Sequence, residues 1–320
     1  MDKFIPSLSP RIPLLMLARK GNSGECEFYH LSKKKVCMRL SIPEVIGKRC
    51  IEVRFGWLLT LTESGDVTLL NPFSRAQFKL PNIRTLPKPE NLCYEPCLIS
   101  IKLGVLSDNP SRVPNFTLMA IHCHGRALGF WRPGDVVWTK IEADNHQFVH
   151  ANYYNSKFYV MDDCLNMWVW DEEEGKLLSI VRVETTCNDD NDDSDGSFDD
   201  HFIVLQMENK NDCWEMVNDI GGDALFLGYN AAISFPEAEA KRFGIKGNTI
   251  YFAPHFNKTV SIVEGGAKNM GIYNFKDGST ERFHGVDQYD YPHYGLGKYF
   301  KPLYGVDQYL NSPFWISSGN

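Results

Sequence analysis

Two stretches of the chain hold side chains dense enough for metal chemistry. The first is DDNDDSDGSFDD, residues 189–200. Laid on a calcium-binding EF-hand loop, Asn191, Asp193, Asp195 and Gly196 take the first, third, fifth and sixth places. The twelfth place is Phe202, where that loop needs a bidentate Glu, and no helical pattern flanks the run, so the match fails. Dense like charge with little apolar content instead predicts a disordered, solvated loop inserted between strands. The second stretch is His122-Cys123-His124 at the end of an apolar run. On a strand the two histidines share one face and could clamp a metal given two further ligands. Cys93 and Cys97, in a Pro-containing loop, add no second pair at finger-like spacing, and the expectation is that no metal is bound.

Covalent and cofactor chemistry find no foothold. The sequence lacks a GxSxG elbow, a phosphate loop and a dinucleotide fingerprint. GGDALFLG at 221–228 has glycines without a helix start behind them, and VEGGAKNMG at 263–271 reads as a turn leading into a strand. An acid/base pair across two distant loops would leave no local signature. We therefore expect no catalytic, cofactor-binding or metal residue, and no substrate-binding residue can be assigned.

Composition narrows the partners. The 320 residues carry a formal charge of −7, and residues 184–200 alone supply −8, leaving +1 for the remainder. Neither total is the basic footprint that a phosphate backbone requires, so nucleic acid is not expected. No run approaches the ~20 apolar residues of a membrane span. The apolar patch at Ile12–Leu17 is broken by proline and lacks a small-residue cleavage site, which argues against a secretory signal. Nine scattered cysteines without CxxC pairs fit reduced thiols, hence a cytoplasmic or nuclear address.

The elements that must position any site are short and repeated. GDVTLLNPFSRAQFKLP, residues 65–81, reads as strand, tight turn, strand. The pattern returns at 127–142, turning at Arg132-Pro133-Gly134-Asp135 before a strand carrying Val136, Val137, Trp138 and Ile141. It returns again at 167–183, 202–219 and 270–283. Asp, Asn, Gly and Pro sit at the reversals because they accept turn dihedrals, and β-branched and aromatic residues flank them because they suit pleated strands. Apolar strands at 56–63, 116–122, 156–163 and 247–254 precede several hairpins and are read as the inner strands of the repeat. Such a unit cannot bury both faces alone, so copies must stack, and a ring leaves only short protected edges.

A spacing of roughly 50 residues is kelch-like and predicts an all-β, kelch-like β-propeller of six blades, with five or seven left open. PEAEAKRFG at 236–244 is the one segment with helical period over two turns. The domain reading is a linker-like segment at 1–20 and a single propeller at 21–320 with the acidic insertion at about 184–200. Trp138 and Trp214 are expected between neighbouring blades with their indole N–H groups bonded. Trp57 is read the same way, and Trp315 as part of a C-terminal strand that closes the ring. GVDQY, at 285–289 and again at 305–309, lies in a Tyr-rich tail and is read as a local duplication or a contact surface.

GWLLTLTESGDVTLLNPFSRAQFKLP, then DALFLGYNAAISFPEAEAKRFGIKGNTIYF, then SPFWIS, in that order, resemble the kelch-like β-propeller domain of unknown function found in many plant F-box proteins. The resemblance spans roughly residues 12–317. It implies a non-enzymatic, intracellular protein-interaction propeller, similar to the substrate-recognition half of F-box ubiquitin-ligase receptors, with an unidentified protein substrate as partner. Family members commonly carry an F-box that docks on a Skp-type adaptor, whereas SPRIPLLMLA here resembles the linker after that module. Two other readings stand beside it: a hydrolase or carbohydrate-binding propeller, and an F-box-less competitor of intact relatives.

Overall fold

A computed structural model describes residues 14–17, 24–30, 33–87, 101–143, 146–164, 166–171, 176–181, 204–208, 213–217, 219–227, 232–252, 271–283 and 314–316. The acidic run, Cys93, Cys97 and both GVDQY copies lie outside them.

The segment 49–80 illustrates how the sequence builds one sheet. Its strands Arg49–Val53, Trp57–Leu61, Val67–Leu70 and Gln77–Leu80 pair antiparallel in chain order. Alternation sends Leu59, Leu61, Val67 and Leu69 to one face and Leu58 and Leu70 to the other. Both faces are apolar, so the sheet needs a neighbour on each side. The predicted turn forms as read: the Asn71 side-chain oxygen accepts hydrogen bonds from Phe73 N at 3.0 Å and Ser74 N at 2.9 Å. Gly65 has φ +88°, and a Cβ there would meet Asn82 Oδ1 and Ile83 Cγ2 at 2.7 Å, so this turn admits no side chain.

The chain is an all-β propeller, with five full blades among the described residues. Blade 1 comprises Leu14–Met16, Glu25–His30 and Lys35–Ser41, with Phe314–Ile316 added beside Leu14–Met16. Blade 2 is the sheet just described, blade 3 runs from Leu103–Leu106 to Thr139–Ile141, and blade 4 from Phe148–Tyr154 to Lys176–Val181. Blade 5 has five strands, from Ala224–Leu227 to Thr280–Arg282. The sixth repeat expected from the sequence is a two-stranded hairpin among the described residues, Val204–Glu208 with Cys213–Val217, whose Val204 packs on Ile250, Phe252 and Tyr273 of blade 5.

Apolar clusters join the blades in sequence. Leu14, Met16 and Phe28 meet Leu58 and Leu70 between blades 1 and 2. Ile51, Trp57 and Leu69 meet Leu106, Leu118 and Trp131 between blades 2 and 3. Met119, Ile121 and Leu128 meet Phe158, Val160 and Trp168 between blades 3 and 4. Leu15, Leu17 and Tyr29 meet Phe226, Phe235 and Tyr251 between blades 1 and 5. Outer turns add a second tie to the preceding blade. Phe73 lies 5.5 Å from Phe28, Arg75 pairs with Glu44 at 2.8 Å, and Trp138 donates its indole N–H to Pro81 O at 3.1 Å. The predicted role of Trp138 is thus observed, and the C-terminal strand closes blade 1 with Trp315 opposite Leu15.

Two expectations are corrected, and blade 5 adds a feature that was not anticipated. The strands read as inner are the second strands of blades 2, 3 and 4. The innermost are Arg49–Val53, Leu103–Leu106 and Phe148–Tyr154, side by side around the axis with Phe314–Ile316 next to the first. They escaped notice because they are short or interrupted by polar residues, whereas the second strands carry long apolar runs. Gly104 permits the crowding: a Cβ there would lie 2.7 Å from Leu59 Cδ1 and 2.9 Å from Val53 Cγ1 of blade 2. Val136 and Val137 belong to the turn, Val136 being 85% exposed, and pairing starts at Thr139 opposite Phe130. The bend spends these two residues bringing Trp138 onto blade 2. Finally, blade 5 contains a parallel pair, Ala224–Leu227 with Thr249–Phe252, connected through strand Ala232–Phe235 and helix Glu237–Phe243. A parallel pair requires such a crossover. The helix is the one anticipated, with Asp223 Oδ1 accepting from Glu237 N at 2.9 Å and Gly244 ending it at φ 65°.

Among the described residues, Glu52 and His122 are deeply buried ionisable side chains without full hydrogen bonding. Glu52, on the innermost strand of blade 2, is 2% exposed and its Oε2 has no partner. Burial pushes its carboxyl well above the usual carboxylate range. His122, which ends the strand Leu118–His122, is fully buried with Nε2 unpartnered. Burial lowers it to about 4 from 6.5.

These features predict three outcomes. Trp138→Ala costs about 3–5 kcal/mol in urea unfolding, whereas Val136→Ser leaves the midpoint unchanged. Removing residues 314–320 exposes the inner edge of blade 1 and lowers the melting temperature, with increased binding of a hydrophobic dye. For pH, a depressed histidine contributes stability that is complete above 6.5 and lost as pH falls toward about 4. His122 therefore accounts for up to ~3 kcal/mol of acid destabilisation, which His122→Leu flattens. Glu52 acts in the opposite sense: its contribution is complete below 4.5 and is lost as pH rises. Glu52→Gln accordingly stabilises the protein at pH 7 and leaves it unchanged at pH 4.

Candidate interaction site at the mouth of the ring

The first two strands of blades 2, 3 and 4 are joined by turns that meet at one end of the ring. In blade 2 the turn is Arg54-Phe55-Gly56, in blade 3 it spans residues 107–117, and in blade 4 it is Asn155-Ser156. Arg54 Nη1 donates to the carbonyl of Tyr153, which ties blade 2 to blade 4. Trp57 Nε1 donates to Asn109 Oδ1 at 3.3 Å, which ties blade 2 to blade 3. Asn109 also organises its own loop, its side-chain oxygen accepting from Ser111 N at 3.0 Å and its carbonyl from Arg112 N at 2.9 Å.

Backbone geometry at the mouth is tightly constrained. Phe55 has φ 63° and ψ 23°, followed by Gly56 at φ 73°. A left-handed conformation costs a non-glycine residue ~1–2 kcal/mol, here held by burial of Gly56 and Trp57 on one side and the Arg54 tether on the other. Asn155 and Ser156, at φ 47° and 61°, make the two-residue hairpin turn in which both central residues take positive φ. That turn lifts Tyr154 to 72% exposure.

The electrostatics centre on Arg54. Its guanidinium is half-buried, 5.1 Å from the Phe55 ring centroid. Burial lowers its pKa while Asp108 and Tyr153 oppose the shift, and a guanidinium remains charged at neutral pH. Arg112 and Lys157, both exposed, stand on the neighbouring turns. Among the described residues on or beside these three turns, the cations are Arg54, Arg112 and Lys157 and the carboxylate is Asp108, on a chain of net charge −7.

The residues singled out in the sequence are distributed elsewhere. The strand carrying His122 stops there, and Cys123, at φ 50°, opens a short 3-10 turn through Gly125, so His122 and His124 do not share a strand face. Trp57 is buried in the joint between blades 2 and 3. Trp214 occupies the strand Cys213–Val217, opposite Met207, and its indole packing lies outside what is described. Gly221 and Gly222 form a turn before the strand Ala224–Leu227. One cluster went unread: Asp162, Asp163 and Cys164 bring potential ligand atoms within 4.8 Å of one another. Asp162 is 2% exposed, and its carboxylate accepts from Cys164 N at 3.0 Å, Asn166 N at 2.8 Å and Asn166 Nδ2 at 2.9 Å, so it organises a strand reversal. Arg54 and Tyr153 also escaped, since nothing local marks two residues 99 positions apart as partners.

The chain is 20% identical over 272 residues to the F-box protein KIB4 of Arabidopsis thaliana, covering 73% of this chain and 68% of that protein. Among solved structures it is similar to TolB from Acinetobacter baumannii, with a TM-score of 0.34 and 10% identity over 55% of this chain and 43% of that one. It is also similar to virginiamycin B lyase from Staphylococcus aureus, with a TM-score of 0.29 and 12% identity over 57% and 58% of the respective chains. For BBS1N in its complex with ARL6DN, the TM-score is 0.29 at 16% identity, and the match spans 49% of this chain and 46% of that one. Residues 28–274 match the KIB1-4 beta-propeller, and the chain belongs to that family of F-box-related propellers.

Proposed function

We propose that this chain is a non-catalytic protein-recognition platform, comparable to the substrate-binding half of an F-box ubiquitin-ligase receptor, whose partner is an intracellular protein. The observation that carries this reading is the mouth itself. Turns from three successive blades are tied to one another by the Arg54–Tyr153 and Trp57–Asn109 hydrogen bonds. Side chains on such turns vary without disturbing the strands below, which is how a rigid scaffold supports selective recognition. Among the described residues of these three turns, Asp108 is the one carboxylate, and general acid–base chemistry of the paired-carboxylate kind needs two. Kinship to a protein named for its F-box favours a role in target selection. Nine scattered cysteines without CxxC pairs suit a reducing compartment, cytoplasm or nucleus.

The test is affinity capture from plant cell extract with the intact 320-residue chain, followed by amine cross-linking and mass spectrometry. A specific protein should be retained and should cross-link to Lys157 at the mouth in preference to Lys48, Lys79 or Lys140. Retention of no protein would reject the reading, as would turnover of a glycoside or ester substrate by the same preparation.

A further inference from the structure

We propose that the mouth binds an extended, acidic segment of the partner protein, with Arg54 as the anchor for a carboxylate; this rests on the recognition reading above. A guanidinium carries five N–H donors in a planar fork suited to a carboxylate. In Arg54 one goes to the Tyr153 carbonyl, and no other hydrogen bond or ion pair engages the group among the described residues. Asp108 is close enough to act on Arg54 electrostatically yet makes no ion pair with it. The guanidinium is therefore oriented, half-buried and still has donors to offer. Partial burial strengthens a charge-assisted hydrogen bond by lowering the surrounding dielectric.

The surroundings select for the same partner. Arg112 and Lys157 flank the anchor on exposed turns and favour approach of an acidic segment. Tyr154, 72% exposed, and the half-buried Phe55 place aromatic surface beside the charge. Aromatic rings offer broad contact area at little rotamer cost, so apolar residues adjoining the acidic one have something to pack on. The Phe55 backbone at φ 63° is held in place before any partner arrives, which reduces the ordering required on binding. Three cations over three turns form too small a basic surface for a nucleic acid backbone.

The experiment uses the full chain and fluorescein-labelled peptides of about ten residues alternating Asp and Leu, matched peptides with Asn for Asp, and a labelled single-stranded oligonucleotide. The Asp peptide should bind, and the Asn peptide should bind at least about tenfold more weakly. Arg54→Gln and Tyr154→Ala should each weaken the Asp peptide about tenfold, Arg54→Lys should recover part of the loss, and added salt should weaken binding throughout. Because Arg54 also ties two blades together, Tyr154→Ala and Lys157→Ala carry the test if Arg54→Gln fails to fold. Equal binding of Asp and Asn peptides, no binding of the Asp peptide by the wild-type chain, tighter binding of the oligonucleotide, or folded mouth variants with undiminished affinity would each overturn the proposal. A captured protein that cross-links only outside the mouth would sink the acidic-segment inference and leave the recognition platform standing; capture of no protein would sink the platform.

Discussion

The structure depends on the inability of any blade to satisfy both of its faces. In blade 2, Leu58 and Leu70 point one way while Leu59, Leu61, Val67 and Leu69 point the other, so the sheet is stable only between two neighbours. Burial of apolar area supplies the driving force, and closure into a ring spares the protein a terminal sheet with one greasy side exposed. The ends of the chain take part in this directly, since Phe314–Ile316 pairs with Leu14–Met16 in a single blade. Closure therefore joins residues about as far apart as the sequence permits.

Given that ring, the position of the mouth follows. The innermost strands stand side by side, and the turns after three of them converge at one end of the ring. Gly104 lets one inner strand approach the blade beside it, and the Arg54 and Trp57 side chains tie the resulting cluster of turns together. The aromatic joints between blades, such as Trp138 against the end of blade 2, keep the strands from sliding and so keep the turns in register. Packing energy far from the mouth is in this sense what positions Arg54.

The KIB1-4 family assignment and this geometry complement each other. Kinship places the chain among F-box-related propellers, while the local structure singles out one end of the ring and a small set of side chains on it. Fold alone would not do so, because propellers host many unrelated activities. The strained Phe55 and the oriented Arg54 are the features that distinguish this mouth from a generic collection of loops.

The sequence by itself determined the all-β class, the positions of the hairpins and the short helix Glu237–Phe243, because alternation, turn residues and helix caps act over a few neighbouring positions. It also marked Trp138 as an inter-blade residue and the PFW segment as the closing strand. Tertiary structure alone decided which strand of each blade stands innermost, that the repeat near 204–217 remains a hairpin among the described residues, and that blade 5 contains a parallel pair. It alone also brought Arg54 to Tyr153 across 99 residues. Those outcomes depend on how separate sheets pack around an axis, and no local pattern of residue types records the distance between two turns that meet only when the ring closes.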